Sequence, residues 1–395
     1  MDLEKFREIQ DAIRKEQLDG WLFCNFRHRD PLADEILGIK ADASNSRMWF
    51  YAVPASGEAH CILHAVEPDV FAIEAGVLPG QYKYYCSREE LFSYLSALAG
   101  KKWGCHFSKT ITAISWLDAG TASLLEEAGL LLASAEGLIQ RFKGLLDHAA
   151  MESHERAASH LYEIVDIVWA EVKQAFTGGR PIYEGDILRI IKEEFSRRGL
   201  ETKGTPIVAA GRNSGNPHYH LAAQAGKGAQ FAENDVILFD LWAKEKNGIF
   251  ADISWVGVYA KSAPQDAEKA FSALIKSRES ALQFIAGELN AGRRPKGACV
   301  DMAAKQILKD CGFADAMRHR TGHGIDTEVH GSGVNIDSVE FPDSRPLLDG
   351  ACFSLEPGVY FPGFGMRTEI NVYIKDGKPV ISGKGRQFAL LNCEG

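Results

Sequence analysis

Four carboxylates and one imidazole in the C-terminal half of this chain stand where a charged side chain is costly. Asp240 closes the apolar run Val236-Ile237-Leu238-Phe239, and Asp252 sits inside Ile249-Phe250-Ala251-Asp252-Ile253. Glu356 follows Phe353-Ser354-Leu355 and precedes Pro357-Gly358, Glu369 opens Ile370-Asn371-Val372-Tyr373-Ile374, and His323 lies between Gly322 and Gly324. Buried carboxylates pair, protonate or coordinate metal. A chain carrying four of them has to fold so that something neutralises them. Four carboxylates with one histidine match the ligand set of two adjacent divalent cations, and the formal charges balance. Singly, each residue also fits a strand-end cap or a turn. The ordered set with its flanks carries the argument.

Spacing lets the five meet. Asp240 and Asp252 lie on two strand candidates joined by Lys244-Glu245-Lys246-Asn247-Gly248, which holds the Asn-Gly turn signal. A hairpin centred on Lys246 puts the two aspartates directly opposite, with Cβ atoms ~4.5–5.5 Å apart. Glu356 and Glu369, with Gly358, Pro362, Gly363 and Gly365 between them, can face each other across a second hairpin. The glycines beside His323 allow close approach of backbone and metal. A mostly oxygen shell with one imidazole suits Mn²⁺ first, with Co²⁺, Zn²⁺ or Fe²⁺ as alternatives.

The rest of the chain narrows the class. Net charge is −9 with no basic stripe, which speaks against nucleic acid as a partner. The eight cysteines form no C-x-x-C pair and suit thiols of a reducing cytosol. No apolar stretch reaches the ~20 residues of a membrane span, so the expectation is a cytoplasmic protein without a membrane partner. Strand and helix patterns alternate up to about residue 145: a helix over 3–18, strands near 20–24, 48–53, 60–64, 82–86 and 103–107, a helix over 88–98. This predicts a mixed α/β layer domain over 1–147. A catalytic domain over 148–395 follows, with long helices near 151–176, 185–198, 264–286 and 296–311, and strands near 206–210, 236–241, 249–259, 351–355, 368–374 and 379–382. Helices followed by a hairpin recur twice there, which hints at two pseudo-symmetric halves.

Phe239-Asp240, Ala251-Asp252-Ile253, Thr321-Gly322-His323-Gly324-Ile325, Leu355-Glu356-Pro357-Gly358-Val359-Tyr360 and Gly365-Met366-Arg367-Thr368-Glu369 together resemble the five metal-ligand segments of the pita-bread metallopeptidases. The resemblance covers about residues 150–395. Residues 1–145 would be the creatinase-like N-terminal domain of the proline-specific branch, which includes prolidase and aminopeptidase P. The fold implied is α/β (α+β), a creatinase-like domain before a pita-bread domain. The ligand roles implied are Asp240 on one metal, His323 and Glu356 on the other, and Asp252 and Glu369 on both. The activity implied is hydrolysis of Xaa-Pro bonds by a hydroxide bridging two divalent metals. Glu356 would handle the nucleophile's proton, His218 and His330 would steady substrate and oxyanion, and Arg367 would stand behind the ligands. A homodimer is implied as well.

Three features depart from the family pattern. Trp242 stands where glycine is frequent, the separation of Asp240 and Asp252 is one residue longer than expected, and Ile253-Ser254-Trp255-Val256 replaces Ile-Thr-Arg-Thr. These bear on how substrate termini are read. The leading reading is a dipeptidase for small Xaa-Pro peptides. The alternatives are an aminopeptidase P acting on Xaa-Pro-Yaa chains and a non-catalytic binding protein on the same scaffold. His220 forms an H-x-H with His218 and is as compatible with the surface as with the site. Asn25-Phe26-Arg27-His28-Arg29-Asp30-Pro31 places Arg27 and Arg29 in a loop suited to gripping a substrate carboxylate, in this subunit or a partner's, or simply to solvent.

Overall fold

The structure is a computed structural model. It describes all residues except Asp2, Ala41, Ala75, 222–225, Lys384 and Gly395. The chain divides into two compact units, Met1–Lys143 and Gly144–Gly395. Leu145 and Leu146, which precede the boundary expected from sequence, pair with Ala351 and Gly350 of the second unit.

The first unit runs α1 (Leu3–Lys15), β1 (Gly20–Asn25), α2 (Pro31–Leu37), β2 (Trp49–Pro54), β3 (His60–His64), the short pair β4 (Ala72–Ile73) and β5 (Gly76–Val77), β6 (Gln81–Tyr85), α3 (Arg88–Ser96), β7 (Lys102–Cys105), α4 (Ala119–Glu127), β8 (Leu131–Ser134) and α5 (Glu136–Lys143). Six strands form a mixed sheet in the order β6-β3-β2-β1-β7-β8. β1 and β2 are antiparallel, whereas β7 joins β1 in parallel. Alternate residues of the central strands fill two cores. Trp21, Phe23, Trp49 and Tyr51 face one side with Ile9 and Ile13 of α1, and Leu22, Phe50 and Ala52 face the other with Leu91 and Leu95 of α3.

The second unit continues with α6 (His148–Thr177), α7 (Glu184–Arg197), β9 (Leu200–Glu201), β10 (Ile207–Ala210), β11 (Val236–Glu245), β12 (Ala251–Val258), α8 (Gln265–Asn290), α9 (Gly297–Asp310), β13 (Cys352–Leu355), β14 (Gly358–Tyr360), β15 (Gly365–Arg367), β16 (Ile370–Lys375) and β17 (Lys378–Ile381). Two helices followed by an antiparallel sheet therefore occur twice. One sheet is β10-β11-β12 and the other β13-β16-β17. α6 buries Leu161, Val165, Val168 and Trp169 against Phe239, Leu241 and Ile253 on one face of the first sheet. α6 therefore covers one face of that sheet, and Asp240 and Asp252 point to the other, where Val236, Leu238, Val256 and Val258 pack against α8. No helix among the described residues is long and apolar enough to cross a membrane. All eight cysteines are free, with Cys61, Cys105, Cys352 and Cys393 buried and Cys86 exposed.

Candidate metal centre

The β11–β12 hairpin corrects one expectation. Asp240 lies opposite Ser254, and Asp252 lies opposite Trp242. The pairing is centred on Asn247, which adopts φ 59°. The loop opens because β11 runs on to Glu245, where it pairs with β9, while the Phe250 N–H is donated to Asp326 O at 3.0 Å. A slip of two residues keeps both aspartates on one face. They become diagonal neighbours, ~7–8 Å apart at the backbone, and Ser254 fills the place between them.

The second pair of carboxylates is set by one continuous register. Leu355 pairs with Ile370 and Gly358 with Arg367. The same register places Glu356 opposite Glu369 in the gap between the two ladders, as the sequence suggested. The Glu369 N–H donates to Ser254 O at 3.1 Å and the Glu356 N–H to Thr321 O at 2.7 Å. Asn371 completes the join, accepting from the Asp252 N–H at 2.8 Å and donating to Asp252 O at 2.6 Å.

Thr321–Gly324 lies along β13. Ser354 N–H donates to His323 O at 2.9 Å, and the His323 N–H donates to Ser354 Oγ at 3.0 Å. A Cβ on Gly322 would sit 2.0 Å from Ser354 O, and one on Gly324 would sit 2.7 Å from Gly333 C. Only glycine fits at either position. His323 Nδ1 lies 3.2 Å from Gly324 O. That contact suits Nδ1–H as donor and leaves the Nε2 lone pair free, as a ligand requires. Nε2 lies 3.5 Å from Asp252 Oδ2 and 3.4 Å from Glu356 Oε1.

Three of the five residues meet as a mutual group. Asp252, His323 and Glu369 each offer a ligand atom, and these atoms all lie within 4.8 Å of one another. Asp252 Oδ1 and Glu369 Oε1 are buried without a hydrogen-bond partner. Buried polar atoms are almost always satisfied, so two bare carboxylate oxygens beside a bare imidazole nitrogen suit a cation. Asp240 and Glu356 border this trio. Ser254 Oγ lies 2.7 Å from Asp240 Oδ1 and 2.8 Å from Glu369 Oε2, and its single proton can serve only one of them. Arg367 Nη2 donates to Asp240 Oδ2 at 2.5 Å and Nε donates to Ser254 Oγ at 2.9 Å.

The electrostatics agree with the contacts. Burial, then repulsion from Asp240 and Glu356, pushes the Asp252 carboxyl well above its ordinary value. Burial, then Asp252 and Glu356, does the same to Glu369. Burial also pushes Glu356 up, but His323, His319 and Arg367 together outweigh it and hold that carboxyl at about 2. Burial holds His323 below its usual range.

The remaining predicted residues divide. The His330 ring packs edge-on against His323 at 4.3 Å, and a charge on His323 would hold His330 below its usual range. His218 is exposed beside His330, on a loop whose Pro217 O accepts from Arg367 Nη1 at 3.3 Å. His220 lines a separate recess with Leu188, Arg189 and Lys192 of α7. Arg27 and Arg29 belong to the first unit, where both guanidinium groups lie over the Phe26 ring at 5.1 and 5.2 Å. Arg29 pairs with Asp118 at 3.2 Å. Trp255 points away from the cluster, onto Tyr162 of α6, whereas Trp242 shares the face of Asp252.

Three contributors escaped the sequence reading. Ser254 stands two residues after Asp252, so strand period alone puts it on the same face. Tyr360 and His319 had no such signal. Tyr360 Oη accepts from Arg367 Nη1 at 2.9 Å and lies 2.8 Å from His319 Nε2. Burial pushes the Tyr360 hydroxyl up to about 12, so it stays protonated.

This carboxylate- and histidine-lined cluster, which could hold a metal ion, stands on a fold of pita-bread architecture. The family model for metallopeptidase family M24 matches residues 151–376, and the chain belongs to that family. The chain is 26% identical over 257 residues to the probable dipeptidase PepE of Mycobacterium tuberculosis, a match covering 64% of this chain and 62% of that protein. It is 31% identical over 195 residues to the Xaa-Pro dipeptidase of Lactobacillus delbrueckii subsp. lactis, covering 49% of this chain and 48% of that one. The matches thus span about half to under two thirds of these relatives' lengths. The crystal structure of dipeptidase PepE from Mycobacterium ulcerans aligns over 99% of this chain and 97% of its own, with TM-score 0.71 and 22% identity.

Proposed function

We propose that this protein is a dinuclear metallopeptidase that hydrolyses Xaa-Pro dipeptides. The observation that carries the reading is the pair of partnerless buried oxygens on Asp252 and Glu369 beside His323 Nε2. Asp252 and Glu369 would hold both cations, Asp240 one of them, and His323 with Glu356 the other. When bound, two divalent cations supply Lewis acidity to the scissile carbonyl and acidify water. The donor set favours Mn²⁺. The relatives named as dipeptidase and Xaa-Pro dipeptidase support the substrate class.

The chain's own groups divide the remaining work. Glu356 is the proposed acceptor of the nucleophile's proton. His330, packed edge-on against His323, is the proposed donor of an N–H to a developing oxyanion. His218 serves the substrate from the opposite loop. Arg367 fixes Asp240 and Tyr360 together. Arg27 and Arg29 are the proposed grip on the dipeptide carboxylate, with a second copy of the chain completing a homodimer in the cytoplasm.

Hydrolysis of Ala-Pro and Ala-Pro-Ala by Mn²⁺-loaded protein, with a chelated control, tests this. Metal-dependent cleavage of the dipeptide alone is expected. Cleavage of the tripeptide would make the protein an aminopeptidase P, and cleavage of neither would refute the proposal.

A further inference from the structure

Glu184 is a fully buried carboxylate at the first turn of α7, where the nearby Lys227 pairs with Asp186 instead. Its two oxygens accept four hydrogen bonds, three from the segment 210–219 and one from Ala229. Oε1 accepts from the Ala210 N–H and from Asn213 Nδ2, both at 2.9 Å. Oε2 accepts from Tyr219 Oη at 2.8 Å and from the Ala229 N–H at 2.9 Å. The backbone is pressed onto the carboxylate, since a Cβ on Gly228 (φ 71°) would lie 2.5 Å from Oε2. Four donors and the start of a helix replace the lost hydration of the charge.

The stretches gathered here bracket His218. Asn213 precedes it, Tyr219 follows it, and Ala210 ends the strand that leads to it. Pro217 is tied on the other side to Arg367, which contacts Asp240. His218 therefore sits between two anchors, one on Glu184 and one on the candidate metal centre.

We propose that Glu184 is a positioning residue: its carboxylate sets the loop 211–219 so that His218 meets the substrate. This role rests on the reading of His218 as substrate-facing. Glutamine is a sharp probe, because it offers one acceptor oxygen and two N–H donors. Tyr219 can rotate its hydroxyl to accept, but one backbone N–H is left facing another donor.

The test compares Glu184→Gln, His218→Ala and the double variant in the full-length Mn²⁺-loaded protein. Hydrogen exchange is read by mass spectrometry and Ala-Pro turnover by kinetics. Glu184→Gln should speed exchange in 211–219 while leaving 236–258 and 352–374 and the bound metal unchanged. It should lower kcat/KM about 10- to 10²-fold and add no further loss in the His218→Ala background. Unchanged exchange in 211–219, or losses that multiply in the double variant, would overturn the role and leave the reading of the metal site intact. Faster exchange with full turnover in both single variants would overturn the catalytic reading of His218 and this role with it. Where Glu184→Gln does not fold, Tyr219→Phe removes one donor without a buried mismatch. It should shift the same two readouts in the same direction by less, and no shift in either would overturn the role.

Discussion

Replacing Arg367 with methionine removes a buried guanidinium that reaches into a cluster of four carboxylates. Arg367 is 3% exposed and donates to Asp240, Ser254, Tyr360 and Pro217 O. Its proton is held far more tightly than usual, because Asp240, Tyr360 and Glu356 outweigh its own burial. Deleting one partner of a buried ion pair costs about 3–5 kcal/mol, since the other charge stays behind. For a cooperative unit of roughly 250 residues, 1 kcal/mol moves Tm by about 2–4 °C, so the chelated variant should melt about 6–20 °C lower. Two divalent cations would neutralise the same carboxylates, so the loss in Mn²⁺-loaded protein should be several degrees smaller. Circular-dichroism melts of wild type and Arg367→Met, each chelated and loaded, give the four midpoints. A drop under about 2 °C in the chelated protein, or equal drops with and without metal, would refute the charge argument.

Asp252→Asn and Glu369→Gln each remove a charge expected to serve both cations. Ala-Pro turnover should fall more than about 100-fold, beyond the range of outer-shell changes, with bound metal falling in parallel; near-normal turnover in either contradicts the assignment. The raised Asp252 and Glu369 values fix a pH dependence. Both groups bind protons more tightly folded than unfolded, so the metal-free fold gains below the unfolded carboxylate value of ~4 and loses stability as pH rises through the raised values. Cations favour the charged forms, so the Tm gap between loaded and chelated protein should widen from about pH 5 to about pH 8. A constant gap counts against the account. Arg27→Ala and Arg29→Ala should raise KM for Ala-Pro about tenfold while sparing bound metal, as expected for a lost charge-assisted hydrogen bond; unchanged kcat/KM removes both from the site.

Much of this molecule was legible in its sequence because the strongest signals were local. Apolar period gave the long helices, and charged residues inside apolar runs marked Asp240, Asp252, Glu356 and Glu369. α4 was not legible, because only Thr121 and Leu125 of its residues are buried and no apolar face repeats. The register of β11 and β12 was misplaced by two residues, because the loop length depends on β9 and on the distant Asp326 carbonyl rather than on the Asn-Gly signal. Ser254 was within reach of strand period. His319 and Glu184 were not, since each acts through a partner remote in sequence, and Tyr360 gave no local signal of its link to Arg367. Trp255, noted beside Trp242 as a departure, faces the helix layer, so only Trp242 borders the cluster.

In the proposed mechanism four carboxylates and His323 hold a pair of cations. Elemental analysis of wild-type protein, stripped with chelator, reloaded with Mn²⁺ and freed of excess metal, tests it most directly. The account predicts two Mn²⁺ per chain, with Ala-Pro hydrolysis appearing only in the reloaded sample. Retention of no metal, or hydrolysis that survives stripping, would contradict it.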